Sequence, residues 1–348
     1  MVDVDVVIVG GGPAGCSSAL SLVARGCAVA VISSPNRREK PTETSTPRLK
    51  QLLHSLGAEE ALSACEPCFG VVSDWGKKNS VLQPGIISPF GHAWFIHRSR
   101  FDACLERIVR DRGTIWIQSE AQKVDFGIES VQVKTSHESV NARFLIIANG
   151  SPSWAANVTC QQLTNIDSLT AFWALLPTTL GERLLSVEAA DFGWWYICPG
   201  DNTGTFACCV TDASGARATR VAQVASWNDQ FRATNICQQL VGVATARAIN
   251  IISASTASLP LKHGQSWVAV GDAAMKLDPI GSSGTITALD SGRRAAGAVA
   301  DALNGNVASI EKYELWSTNL VKAFTRQRVQ HYAVEAQKRG DGFWSRRA

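Results

Sequence analysis

The sequence predicts an α/β fold: a discontinuous, Rossmann-like nucleotide domain interrupted by an inserted domain with a mixed or antiparallel β-sheet, and helices at the C-terminus. Three observations predict it. An unbroken apolar, β-branched run at residues 4–9 leads straight into Gly10-Gly11-Gly12-Pro13-Ala14-Gly15, the strand, tight turn and helix of a dinucleotide fingerprint. Far downstream, the apolar run 267–270 delivers Gly271-Asp272-Ala273-Ala274, followed by Asp278-Pro279-Ile280-Gly281-Ser282-Ser283-Gly284. Short strand-like segments fill the interval between these two motifs, with no internal repeat and no low-complexity linker.

Taken in order, residues 4–9 read as a strand buried on both faces. Gly10 allows the turn, Gly12 lets the backbone approach a pyrophosphate, and Gly15 lets the following helix (14–25) pack closely. Phosphates would sit on that helix's N-terminus, where free N–H groups and the dipole favour an anion. Pro13 and Ala14 join the glycines as cofactor-binding candidates, and the small residues Ala14, Cys16, Ser17, Ser18 and Ala19 suit close packing. A second strand, 27–32, ends in Ser33-Ser34 with no carboxylate before Glu39. The acidic residue that normally holds the adenosine ribose is therefore missing. Ser33 supplies a weaker, neutral hydrogen bond, which predicts a loosely held nucleotide.

A helix at 47–56 follows, with Leu49, Leu52, Leu53 and Leu56 on one face and Gly57 as its stop. Residues 69–94 are mixed and strand-like. Residues 101–109 return to helical spacing, 114–118 and 131–135 read as strands, and 144–148 as a buried strand ending at Asn149-Gly150. Further strands fall at 169–176, 193–198 and 205–211, and the pattern after 272 is helical.

Composition sets the limits. A chain of 348 residues, 45 % hydrophobic, can bury a large core. No stretch has the length and apolarity of a membrane span, and the N-terminus enters a strand at once, so a cytoplasmic location without a leader is expected. Ten irregularly spaced cysteines fit a reduced compartment. Cys65-x-x-Cys68 lacks a second pair, so no metal is expected. The net charge of +3 argues against a nucleic-acid partner. Its distribution is uneven: from Ser309 onward there are eight Lys/Arg against four Asp/Glu.

The glycine turn and the Gly-Asp motif together describe a site that holds FAD from both ends. The order resembles the FAD-dependent aromatic hydroxylases and flavin halogenases, whose fold parent is para-hydroxybenzoate hydroxylase. The resemblance implies an FAD-binding domain over 1–70, 96–160 and 262–308, a substrate domain over 71–95 and 161–261, and a C-terminal helical segment over 309–348. It implies that Asp272, after Gly271, hydrogen-bonds the flavin ribityl chain. Pro279 would lie near the ring face, with Gly281, Ser282, Ser283 and Gly284 lending N–H groups to its polar edge. Arg98, after Phe95-Ile96-His97, matches the arginine that opens the helix along the ribityl-phosphate portion. The middle motif departs from the ring hydroxylases, being Asn149-Gly150-Ser151 rather than Asp-Gly. No second GxGxxG supplies a nicotinamide domain, which leaves the external reductant unidentified.

Gly193-Trp194-Trp195-Tyr196, Gly91-His92-Ala93-Trp94, Leu289-Asp290-Ser291-Gly292 and the terminal Gly342-Phe343-Trp344-Ser345-Arg346-Arg347 are similar to a narrower group. These are the LodB/GoxB-like flavoprotein maturases of tryptophylquinone-containing amino-acid oxidases and amine dehydrogenases. That similarity implies oxygen insertion from molecular oxygen, through a flavin C4a-hydroperoxide, into a tryptophan of a precursor protein. Trp194 and Trp195 would wall the substrate pocket, although alternate strand residues face opposite ways. His92 and His97 would exchange protons. Two alternatives stay open. One is a flavin-dependent halogenase or hydroxylase of free tryptophan or indole, of which the halogenase would need a lysine such as Lys77 or Lys78, in what reads as a hairpin turn. The other is a non-catalytic binding protein that would only escort its partner.

Overall fold

The computed structural model describes residues 2–36, 40–76, 81–85, 91–200, 204–260, 266–340 and 342–348. Its first seven-stranded sheet runs Ile115–Gln118, Val29–Ser33, Val2–Val9, Ser139–Ile147 in parallel, then Val131–Lys134 and Lys123–Phe126 antiparallel. Trp267–Ala269 joins the other half of Ser139–Ile147, pairing Leu145 with Trp267. The sheet is therefore assembled from segments hundreds of residues apart. Because side chains alternate along a strand, Val6, Ile8, Val29 and Val31 face one core while Val7, Val9, Ala30 and Ile32 face another. Burial on both faces explains why these strands read as continuous apolar runs.

The helix Pro13–Val23 covers the first face and packs against Gly284–Leu303. Its small residues set the closeness. Ser17 Oγ donates to Leu289 O at 2.6 Å, and Ser18 Oγ donates to Ala14 O at 2.9 Å and Gly292 O at 3.2 Å. A methyl group on Gly292 would collide with the Ala14 carbonyl.

The second sheet has the order Asn250–Ser253, Leu169–Leu176, Thr205–Asp212, Gly193–Pro199, Leu184–Ala190, Gly70–Asp74, Val81–Pro84. Only the pair Leu184–Ala190 with Gly70–Asp74 is parallel, so the sheet is mixed. One face packs Trp227 and Phe231 of the helix Val224–Arg232. The other packs Tyr332 of the 32-residue helix Ala308–Arg339, together with the terminal Phe343 and Trp344. The fold is thus the predicted α/β class, with the inserted mixed sheet and the C-terminal helices in place.

The strand at 169–176 has the predicted limits, and the others shift by a few residues where caps or ladders decide. Sequence reading missed Leu184–Ala190, Lys123–Phe126 and the helices at 213–241. Leu184–Ala190 lacks clean alternation, and the three helices at 213–241 are short. Among the described residues no helix is long and apolar enough to cross a membrane.

Candidate functional site

A cleft of about 800 Å³ opens at the C-terminal ends of the parallel strands, where ligands bind in open α/β sheets. Gly10, Gly11, Gly12, Pro13 and Ala14 form one wall. Gly10 holds φ at +117°, and a side chain there would run into the Ala148 carbonyl. Gly12 is different: a methyl added to it meets nothing within 4 Å. Its missing side chain leaves free space at the mouth of the helix Pro13–Val23. That helix has no side-chain cap and no acidic residue in its first turn, so its orphan N–H groups meet an anion without competition. Gly15 does not line the cleft; it packs under the turn, against the Gly10 carbonyl.

Ser33 lines the outer end with Ser34, Asn36, Ser119 and Glu120. Ser34 Oγ donates to Glu120 Oε1 at 3.2 Å, and Asn36 Nδ2 approaches the same oxygen at 3.5 Å. The carboxylate absent from the second strand is therefore present in space. Glu120 follows the neighbouring strand Ile115–Gln118, which pairs Ile117 with Ile32. This corrects the expectation that only a neutral group stands at that end. A single-strand motif could not reveal a group carried by the adjacent strand.

At the inner end, Arg98 opens the helix Arg98–Asp111 and is 7 % exposed. It donates to Asp102 at 3.1 and 3.2 Å and to Glu43. Burial works against its charge, but the Glu43 and Asp102 carboxylates outweigh this and raise its pKa above the ordinary arginine value. Glu43, which belongs to no sequence motif, also accepts from Thr285 Oγ1 at 2.6 Å. Next to it, Thr44 Oγ1 donates to Ser282 Oγ at 2.7 Å. The short strand Glu43–Ser45 therefore ties the arginine helix to the loop 279–285.

Asp272 lines the cleft and is open to it, while Gly271 lies buried behind with φ at +56°. The Gly271 N–H is held by Ser291 Oγ at 2.9 Å. The protein mass around Asp272 raises its carboxyl, and Lys276 acts in the opposite sense. Gly284 and Thr285 line the cleft; Pro279, Gly281, Ser282 and Ser283 form the loop leading to them. Asn149 and Gly150 line it as well.

The aromatic candidates separate. Trp194 is 3 % exposed on the sheet face that meets Ile280 and Tyr332. Trp195, fully buried, lies on the opposite face with its ring 5.0 Å from Trp227 and 5.5 Å from Phe231. The pleat that turns Trp194 towards the loop turns Trp195 away, which corrects its expected place in the pocket wall. His92 lies outside the cleft lining, its ring 4.4 Å from Trp94 and its Nδ1 2.9 Å from Ala93 O. His97 is buried, with Nε2 3.1 Å from Glu66. Lys77 and Lys78 lie outside the described residues. Burial pushes the Cys65 thiol up to about 12, so it stays protonated.

The residues present fit FAD: a side-chain-free recess at a helix N-terminus for a pyrophosphate, with hydrogen-bonding carboxylates beyond it at either end. Known proteins agree. Residues 4–179, half of the chain, match the model of the family described as pyridine nucleotide-disulphide oxidoreductase. The putative FAD-dependent oxidoreductase LodB of Marinomonas mediterranea is 23 % identical over 99 % of this chain and 96 % of its own length. In fold, the chain is similar to the peptidyl tryptophan dihydroxylase QhpG, essential for tryptophylquinone cofactor biogenesis (TM-score 0.82, 21 % identity, 99 % of this chain and 79 % of that one). Its fold matches the myxobacterial chondrochloren halogenase CndH with a higher TM-score (0.89, 22 % identity, 100 % and 86 %). The matched half contains the glycine turn, Glu43, Arg98 and Glu120, and with it the chain belongs to the pyridine nucleotide-disulphide oxidoreductase family as an FAD-dependent oxidoreductase.

Proposed function

We propose that the protein is an FAD-dependent monooxygenase that hydroxylates a tryptophan side chain in the precursor of a tryptophylquinone amino-acid oxidase, within the cytoplasm. The observation that carries this reading is the end-to-end match to the LodB oxidoreductase, 99 % of this chain on 96 % of that one. The likeness in fold to a peptidyl tryptophan dihydroxylase supports it.

The Gly10–Ala14 turn and the helix behind it hold the pyrophosphate, with Gly12 leaving the room. Ser33 and Glu120 take the adenosine ribose. Arg98 lies along the ribityl-phosphate portion, locked by Glu43 and Asp102, and Asp272 accepts from the ribityl chain. Gly281, Ser282, Ser283 and Gly284 lend N–H groups to the ring's polar edge, and Pro279 borders its face. When bound and reduced by an external donor, FAD would supply the oxygen-activating chemistry. An indole is electron-rich, so the remaining task of the protein is to place it and exclude water. The sheet face bearing Trp173, Trp194, Tyr196 and Phe206 supplies an apolar wall on the side of Ile280.

Halogenation of a free indole is the second reading, favoured by the likeness in fold to the chondrochloren halogenase. The test gives the protein reduced FAD and oxygen with two substrates, an oxidase precursor and free tryptophan plus bromide, followed by mass spectrometry. Added oxygen on a precursor tryptophan alone supports the proposal. Brominated tryptophan replaces it with the second reading, and no change in either substrate, with no flavin-dependent oxygen uptake, leaves an escort role.

A further inference from the structure

The terminal run Gly342-Phe343-Trp344-Ser345-Arg346-Arg347 has no part in the cleft, yet its contacts lead to the loop beside it. Asp278, which opens that loop, has a side chain with no exposed surface. Its Oδ1 accepts from Ile280 N at 3.1 Å; its Oδ2 accepts from Arg328 Nε at 2.8 Å and from the Tyr332 hydroxyl at 2.9 Å. The same hydroxyl accepts from Trp194 Nε1 at 3.3 Å. Arg328 is shared, since it also pairs with Asp167. Arg347 holds Asp167 at 2.9 Å and reaches Asp212 at 3.1 Å, where Arg346 joins at 2.7 Å. Phe343 and Trp344 pack on Tyr332, with ring centroids 6.0 and 5.6 Å away. Trp344 Nε1 is anchored on Ala190 O at 2.8 Å.

We infer that Phe343, Trp344 and Arg347 form a clasp that positions the loop 278–283 for the cofactor, acting through Tyr332 and Arg328 on Asp278. This rests on the reading of 279–284 as the segment that meets bound FAD. Three guanidiniums face three carboxylates in this cluster, and all these side chains but that of Arg346 are largely buried. Charges so buried cannot be left uncompensated. Without Arg347, Asp167 and Asp212 lose a counter-charge, and Arg328 is drawn to Asp167 and away from Asp278. Without the Tyr332 hydroxyl, Asp278 loses a donor and Trp194 an acceptor. Either change frees the Ile280 peptide, and the loop loses its fixed approach to the ring.

The experiment compares wild type, Tyr332→Phe, Arg347→Ala and Arg347→Lys. Trp227→Phe on the other sheet face serves as a control for simple destabilisation. Hydrogen exchange of the apoprotein is read over residues 278–283, and FAD affinity is read by absorbance titration. Tyr332→Phe and Arg347→Ala speed exchange in the loop and weaken FAD at least about fivefold, the low end of coupling between linked sites. Arg347→Lys recovers part of both effects, while Trp227→Phe changes neither. Unchanged loop exchange in Tyr332→Phe and Arg347→Ala overturns the clasp. Faster exchange with unaltered FAD affinity overturns its tie to the cofactor. A wild type that binds no FAD, yet shows the same exchange pattern, sinks the cofactor reading of the loop and leaves a purely structural lock.

Discussion

The cleft and the second sheet are built from opposite materials. The cleft is made of backbone: glycines, serines and alanines whose value lies in what they lack, with a few charges at its rim. The second sheet is made of bulk, with Trp173, Trp194, Trp195, Tyr196 and Phe206 packed under Trp227, Tyr332 and Trp344. Adding atoms therefore damages the first region and removing them damages the second. The two kinds of damage also fall on different measurements, since one governs ligand affinity and the other the stability of the fold.

Substitutions can break or sharpen this contrast. The largest expected effect is Gly12→Val. The site is open, so the chain folds as wild type, but the side chain fills the recess and FAD affinity falls more than about a hundredfold in an absorbance titration. A folded variant that still binds FAD tightly would place the phosphates elsewhere. Trp195→Ala comes next: removal of a fully buried ring costs about 3–5 kcal/mol, read by urea unfolding, while FAD affinity stays near wild type. Ser291→Ala strips the hydroxyl from the buried Gly271 N–H and lowers stability by about 1–3 kcal/mol. The smallest effect is expected for Glu120→Gln, which replaces a charged acceptor by a neutral one and weakens FAD about three- to tenfold. If Glu120→Gln binds as wild type, Ser33 alone holds the ribose.

The same contrast explains what the sequence made legible. Backbone-made features leave a local signature, because a turn with φ at +117° or a pair of helices in contact admits few residue types. Hence the glycine turn and the Gly271-Asp272 turn are legible as motifs, and Gly10, Gly12 and Asp272 line the cleft, as does Arg98, which the family resemblance singles out. Glu43 and Glu120 escaped notice because each matters through a partner distant in sequence, Arg98 with Thr285 for one and the end of strand Val29–Ser33 for the other. Trp194 and Trp195 were found as a motif but not distinguished. Strand parity says that they face opposite ways, yet only the neighbours Ile280 and Trp227 say which one faces the loop.

The seam between the helices Pro13–Val23 and Gly284–Leu303 has a consequence for biosynthesis. Ser17 and Ser18 meet carbonyls 272 and 274 residues further on, so the floor of the cleft is laid down first and completed late. A nascent chain carries the glycine turn with one flank uncovered until that second helix is made, and long-range closure of this kind is slow. The seam can therefore close only once the helix Gly284–Leu303 has been made, so a completed floor for the flavin site has to wait for that helix.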